Sequence, residues 1–152
     1  QIKKNNEVGE KFSRTLNYRL EFWTKLNDVI SERGNILNKR KPSTDHWYNF
    51  AIGSSKCNLC VGLINKDRKI DVYMNIPDCK EQFDVFYDNK EAIEKDCGMS
   101  LKWDRNNDHK SSTILTSIEG LDFEHQDNYE ELMNKIIDLV IALKKAFKPY
   151  LI

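Results

Sequence analysis

Glycine and proline are scarce, at six and three of 152 residues. That excludes collagen-like and proline-rich low-complexity chains, and it makes a glycine-rich phosphate cradle hard to build. No apolar run approaches the roughly 20 residues that a membrane-spanning helix needs. Net charge is also missing, because 24 Lys and Arg balance 24 Asp and Glu; a neutral domain is poor footing for nucleic acid. The sequence holds no Gly-x-Ser-x-Gly, no His-Glu-x-x-His, no phosphate loop and no dinucleotide fingerprint. It opens on Gln1, with no initiator Met and no charged-then-apolar leader, and is read as a piece of a longer protein.

What is present points to one folded domain. Aromatics make up 11% and apolar residues 39% of the chain, too rich for disorder. A chain of this length buries about two thirds of its unfolded surface, so its core needs no metal or disulfide. The four cysteines, Cys57, Cys60, Cys79 and Cys97, are expected as reduced thiols in a cytoplasm. Charge is unevenly spread: residues 1–76 hold 14 basic against 8 acidic side chains, and residues 77–152 hold 10 against 16. The domain is dipolar if the two halves stay apart in space.

Residues 1–12 are polar and read as a lead-in or linker, with one domain over 13–152. From Ser13, a candidate cap, to Arg33, the residues Leu16, Leu20, Trp23 and Ile30 recur at helical spacing, and Gly34 suits the turn beyond. A loop with a basic knot, Lys39-Arg40-Lys41, follows. Three strands come next. Tyr48, Phe50 and Ile52 alternate with Trp47, Asn49 and Ala51; Leu59, Val61 and Leu63 share a face; so do Ile70, Val72, Met74 and Ile76. Connections this short join only antiparallel neighbours. Asp78 and Glu81 have capping-box spacing ahead of a helix that runs to Cys97. Two more strands, 99–103 and 112–119, precede a last helix from near Asp127 that ends at Pro149. The expected fold is α+β, with an antiparallel five-stranded sheet, helices packed on one face, and the order α-β-β-β-α-β-β-α.

Chemical motifs are few. Cys57 and Cys60 have redox or metal-ligand spacing but fall within one strand, where they face opposite sides, and read as small buried apolar groups. His46, His109 and His125 stand at separate element ends and read as surface residues. Asp67 or Asp71, followed by Asp78-Cys79-Lys80, imitates the acid-and-lysine string of a divalent-metal nuclease; Asp78 follows Pro77 and reads as a helix cap, which explains it without a metal. Trp47, Tyr73, Lys102 and Lys56 can project from the less apolar sheet face, where aromatics stack bases and cations hold phosphates. Lys39, Arg40 and Lys41 can add phosphate contacts.

Two stretches carry a family likeness. One is Arg19-Leu20-Glu21-Phe22-Trp23; the other runs from Ile93-Glu94-Lys95-Asp96-Cys97-Gly98 to Met99-Ser100-Leu101-Lys102-Trp103. With the element order, they make residues 16–150 resemble the bacterial family called domain of unknown function 4268. That resemblance implies a C-terminal accessory module, often behind a restriction-nuclease-like part, and supplies no catalytic residues. The element order also resembles that of type III secretion chaperones, in topology alone. The expected function is a non-enzymatic binding or interaction module, serving a neighbouring domain, a protein partner or a second copy of itself. The alternatives are nucleic-acid binding and a metal-dependent nuclease. No cofactor, no metal and no membrane contact are expected.

Overall fold

The computed structural model describes the backbone of residues 2–152 and the side chains of residues 6–152; Gln1 of the expected lead-in lies outside the described residues. Helix α1 spans Ile2–Glu32, strand β1 Trp47–Phe50, β2 Asn58–Ile64 and β3 Lys69–Ile76. Helices α2, Lys80–Asp88, and α3, Lys90–Cys97, lead to β4, Lys102–Asp104, and β5, Ser112–Glu119. Helix α4, Tyr129–Phe147, comes last, and short 3-10 turns cover Asn65–Asp67 and Lys148–Tyr150. The five strands form one antiparallel sheet in the order β1-β2-β3-β5-β4. The expected α+β architecture is the one found.

Alternation assigns the two faces. Tyr48 and Phe50, Leu59, Val61 and Leu63, and the β3 residues Ile70 to Ile76 at every second position are all buried. They form one cluster with α1, α4, Phe83 and Phe86 of α2 and Ile93 of α3. Helix α4 is apolar enough to bury nine of its side chains, Leu132, Ile136 and Val140 among them, and lies against the sheet beside α1 and α3. The aromatic stretch of α1 serves this packing. Fully buried Trp23 packs against Tyr48 with the rings tilted, centroids 5.3 Å apart, and donates its indole N–H to the Asp45 carbonyl at 2.8 Å. Phe22 meets Tyr129 of α4 edge-on at 5.0 Å.

Several boundaries differ from expectation. Helix α1 begins at Ile2, and Ser13 is an exposed residue within it rather than its cap. Its first turns hold good helix formers such as Lys3, Lys4, Glu7 and Lys11, which extend a helix without an apolar stripe to announce it. The helix expected from Asp78 to Cys97 is two helices. Asn89, at φ −112° and ψ 20°, separates them, and its side-chain amide donates to the Val85 carbonyl at 2.8 Å. Asp78 does not cap: Cys79 holds the cap position of α2 without any side-chain cap bond, and Asp78 is exposed. The first turn of α2 is anchored by Lys80 instead. Its ammonium donates to the Arg105 carbonyl, the Asn106 carbonyl at 3.0 Å, the Ser111 carbonyl at 2.9 Å and Ser112 Oγ at 2.9 Å. Strand β4 is shorter than expected because the Leu101 N–H is taken by Glu94 Oε2 at 2.6 Å.

Candidate functional site: the outer sheet face

All the helices lie on one side of the sheet, so the other side faces outward. The register places Asn49, Cys60, Tyr73, Leu115 and Lys102 in a single row across all five strands. At about 4.8 Å per strand, the row is roughly 19 Å long. The neighbouring row is Trp47, Gly62, Asp71 and Ser117. Gly62 forms a low floor between two aromatics: Trp47 lies opposite it, and a Cβ at Gly62 would meet Tyr73 Cε1 at 3.8 Å. Trp47 is 37% exposed, the one large apolar side chain of this face to be freely exposed.

The sheet therefore brings Trp47, Tyr73 and Lys102 to one face. It does not gather the basic knot as a cluster. Only Arg40 joins, with its guanidinium 5.6 Å from the centre of the Trp47 ring. Lys39 turns back to α1 and donates to Ser31 Oγ at 2.6 Å. Lys41 and Lys56 are simply exposed.

Arg40 is held by a closed ring of three hydrogen bonds. Its N–H donates to the Tyr48 hydroxyl at 2.6 Å, that hydroxyl donates to Asn27 Oδ1 at 2.7 Å, and the Asn27 amide donates to the Arg40 carbonyl at 2.7 Å. Tyr48 is 3% exposed, so the ring is anchored in the core. These bonds hold the Arg40 backbone at a fixed place beside the sheet edge. Among the described residues, Arg40 has no carboxylate within ion-pair distance. Beside it opens a cleft of about 360 Å³ whose walls include Lys39, Arg40, Asn49, Ser54 and Asn58, and no acidic residue.

Between Arg40 and the charged groups farther along the sheet, the face is lined by neutral polar side chains. The Cys60 thiol points at Asn49 Oδ1, 2.7 Å away, and at Asn58 Oδ1, 3.3 Å away. Burial pushes this thiol up to about 11, and burial likewise pushes the Tyr73 hydroxyl up to about 12. Both stay protonated at neutral pH, so Cys60 is no thiolate nucleophile. Asp71, the acid of the Trp47 row, accepts from Ser117 Oγ at 2.7 Å and pairs with Lys69 at 3.3 Å. Cys57 faces the core, away from Cys60, and all four thiols are free. His46, His109 and His125 are exposed. Among the described residues, no three His, Cys, Asp or Glu side chains converge closely enough to hold a metal ion. The acid-and-lysine string does not assemble around Lys80, whose ammonium is committed to the β4–β5 connection.

Sequence reasoning missed the Asn49, Asn58 and Cys60 cluster and the Asn27–Tyr48 support. A signal existed for the first: asparagine is disfavoured in strands, yet Asn49, Asn58 and Asn75 all fall at outward positions.

Fold and surface together define a small α+β domain with one sheet face roofed by helices and the other free. The chain matches the family described as Domain of unknown function (DUF4268) over residues 18–151, and it belongs to that family. The match leaves out the first turns of α1, where residues 6–14 are exposed. No curated protein and no solved structure matches. The second stretch that carried the likeness is structural. Glu94 Oε2 accepts the Leu101 N–H at 2.6 Å and the Trp103 indole N–H at 3.2 Å, and Gly98 adopts the left-handed φ of 74° between them.

Proposed function

We propose that this domain is a non-catalytic binding module that takes single-stranded nucleic acid across its outer sheet face, at the β1 edge. The observation that carries the reading is Arg40: rigidly supported, free of any carboxylate partner, stacked on exposed Trp47 and beside an acid-free cleft. Stacking on an aromatic is worth about 1–3 kcal/mol per base and tolerates any sequence. Asn49, Asn58 and Asn75 add neutral amides that both donate and accept, the chemistry that base edges require. A hydrophobic protein partner fits less well, since Trp47 is the one freely exposed large apolar side chain here.

Neutral net charge is not an obstacle when the charge is divided. In the sheet, β1, β2 and β3 come from the basic half of the chain, and β5 and β4 from the acidic half. The β1 edge is the basic one. In this reading the module serves a neighbouring domain of a bacterial cytoplasmic protein, where four free thiols are at home.

Fluorescence anisotropy of labelled oligo-dT and oligo-U tests this. Binding is expected at low salt, weakening with a slope of about −0.7 per neutralised phosphate. Trp47→Ala should weaken it roughly 5- to 100-fold, one stacked base. No binding of either polymer at low salt refutes the proposal.

A further inference from the structure

A second cleft lies on the opposite side of the β1 edge, between α1, the start of β1 and the end of β2. It measures about 670 Å³, and its walls include Lys11, Arg19, His46 and Lys66 over a floor of Leu63 and Phe123. None of its nine lining residues is acidic, in a chain with 24 carboxylates. Lys11 and Arg19 lie eight residues apart on α1, so they share one helix face. Among the described residues, none of the four basic side chains makes an ion pair. Three fixed cations lining a concavity focus positive potential into it.

We infer that this cleft is a second phosphate subsite for the same strand, so that the ligand wraps the β1 edge from the Arg40 cleft to the α1 cleft. The inference rests on the nucleic-acid reading above. His46 belongs to one cleft and Asn49 to the other: His46 directly precedes β1 and Asn49 lies within it, three residues on. That is roughly 10 Å, or about three nucleotides at about 3.4 Å each. The loop between the clefts is tied to α1 by Arg19, which donates to the Thr44 carbonyl at 3.4 Å, and by Trp23, which donates to the Asp45 carbonyl at 2.8 Å. Both subsites therefore keep a fixed separation, and a ligand must be long enough to reach both.

The test compares labelled dT2 and dT12 on the wild-type chain and on the double variant Lys11→Gln/Lys66→Gln. Both lysines are exposed and their side chains make no hydrogen bond among the described residues, so the melting temperature should not move. The expected result is that the variant binds dT12 about 5- to 10-fold more weakly, with a salt slope shallower by about 1.4 for two lost contacts, while binding of dT2, too short to reach both subsites, is unchanged. Wild-type affinity of the variant for dT12 overturns the second subsite and leaves the first standing. Failure of both oligonucleotides to bind the wild type removes the nucleic-acid reading itself.

Discussion

Lys80 is the sharpest place to separate a structural lysine from a functional one. Its ammonium has three N–H groups and faces four oxygens, of Arg105, Asn106, Ser111 and Ser112. A hydrogen bond to a charged group contributes about 1.5–3 kcal/mol, so three give a gross of roughly 4.5–9 kcal/mol. Two effects reduce this. Holding the ammonium partly out of water costs several kcal/mol in the native protein, and Lys80→Met is spared that cost. Arg105, Asn106 and Ser111 are only half-buried, so water can reach their carbonyls in the variant; Ser112, at 1% exposure, gets no such relief. The net expectation for Lys80→Met is a loss of about 2–4 kcal/mol, read from urea denaturation as a fall in midpoint at unchanged slope. At about 2–4 °C per kcal/mol for a chain of this size, the melting temperature falls by roughly 5–15 °C. Ser112→Ala in the same background should be less than additive, since the two groups share one bond. A loss below about 1 kcal/mol would show that these bonds are surface decoration, and would free Lys80 for chemistry.

Other contacts make equally specific claims. Glu94→Gln should cost about 1–2 kcal/mol, because a neutral amide accepts less strongly from Leu101 and Trp103. Its pH dependence has a definite sign. The Leu101 N–H, first among its causes, holds the Glu94 carboxyl below its ordinary 4.5 in the folded state. That stabilisation is fully present above the unfolded value and is lost as pH falls through the folded one. Below about pH 4.5 the wild type should therefore lose stability more steeply than Glu94→Gln, which thermal melts across that range would read. Tyr48→Phe opens the hydrogen-bonded ring that holds Arg40. It should cost about 1–2 kcal/mol and weaken oligonucleotide binding, whereas Trp47→Ala should weaken binding with little change in melting temperature; equal binding by Tyr48→Phe and wild type would show that the ring does not position Arg40.

The sheet was legible because its physics is local. Period-two alternation in Ile70, Val72, Met74 and Ile76 names a buried face whatever covers it, and the short connections force antiparallel pairing. The outward assignment of Trp47 and Tyr73 follows from the same parity. What failed was local in another sense. Ser13 and Asp78 have the chemistry of caps, but a cap is decided by where the helix starts, and α1 starts earlier on propensity alone. The break at Asn89 left no mark in an apolar pattern that continues through it, from Phe83 and Phe86 to Ile93. The support of Arg40 was invisible for a different reason. Asn27, Arg40 and Tyr48 belong to a helix, a loop and a strand, and no spacing rule joins them. The basic knot was readable as charge, but which of its three members reaches the sheet is a tertiary fact.

On the proposed reading, the face also accounts for how a chain with no net charge would keep an edge open to anions. Its acids are either neutralised where they stand or lie on the two strands farthest from β1, as Glu119 does on β5. Asp104 lies on β4, four strands from β1. Asp71 is nearer, yet Lys69 and the Ser117 hydroxyl absorb its charge. A carboxylate whose partner is 3.3 Å away presents little field beyond a Debye length of about 8–10 Å. Arg40 has no such partner and points its charge outward across Trp47. On the nucleic-acid reading proposed above, the asymmetry between these two charged side chains, one paired and one unpaired, would direct an anionic ligand to β1 more than the count of charges does. Lys69→Gln tests that argument directly. Removing the screen from Asp71 should weaken oligonucleotide binding several-fold more than the loss of one distant cation would, and Asp71→Asn in the same chain should restore it. If Lys69→Gln binds no more weakly than a single lost phosphate contact predicts, or Asp71→Asn fails to rescue it, the pairing has no part in steering the ligand.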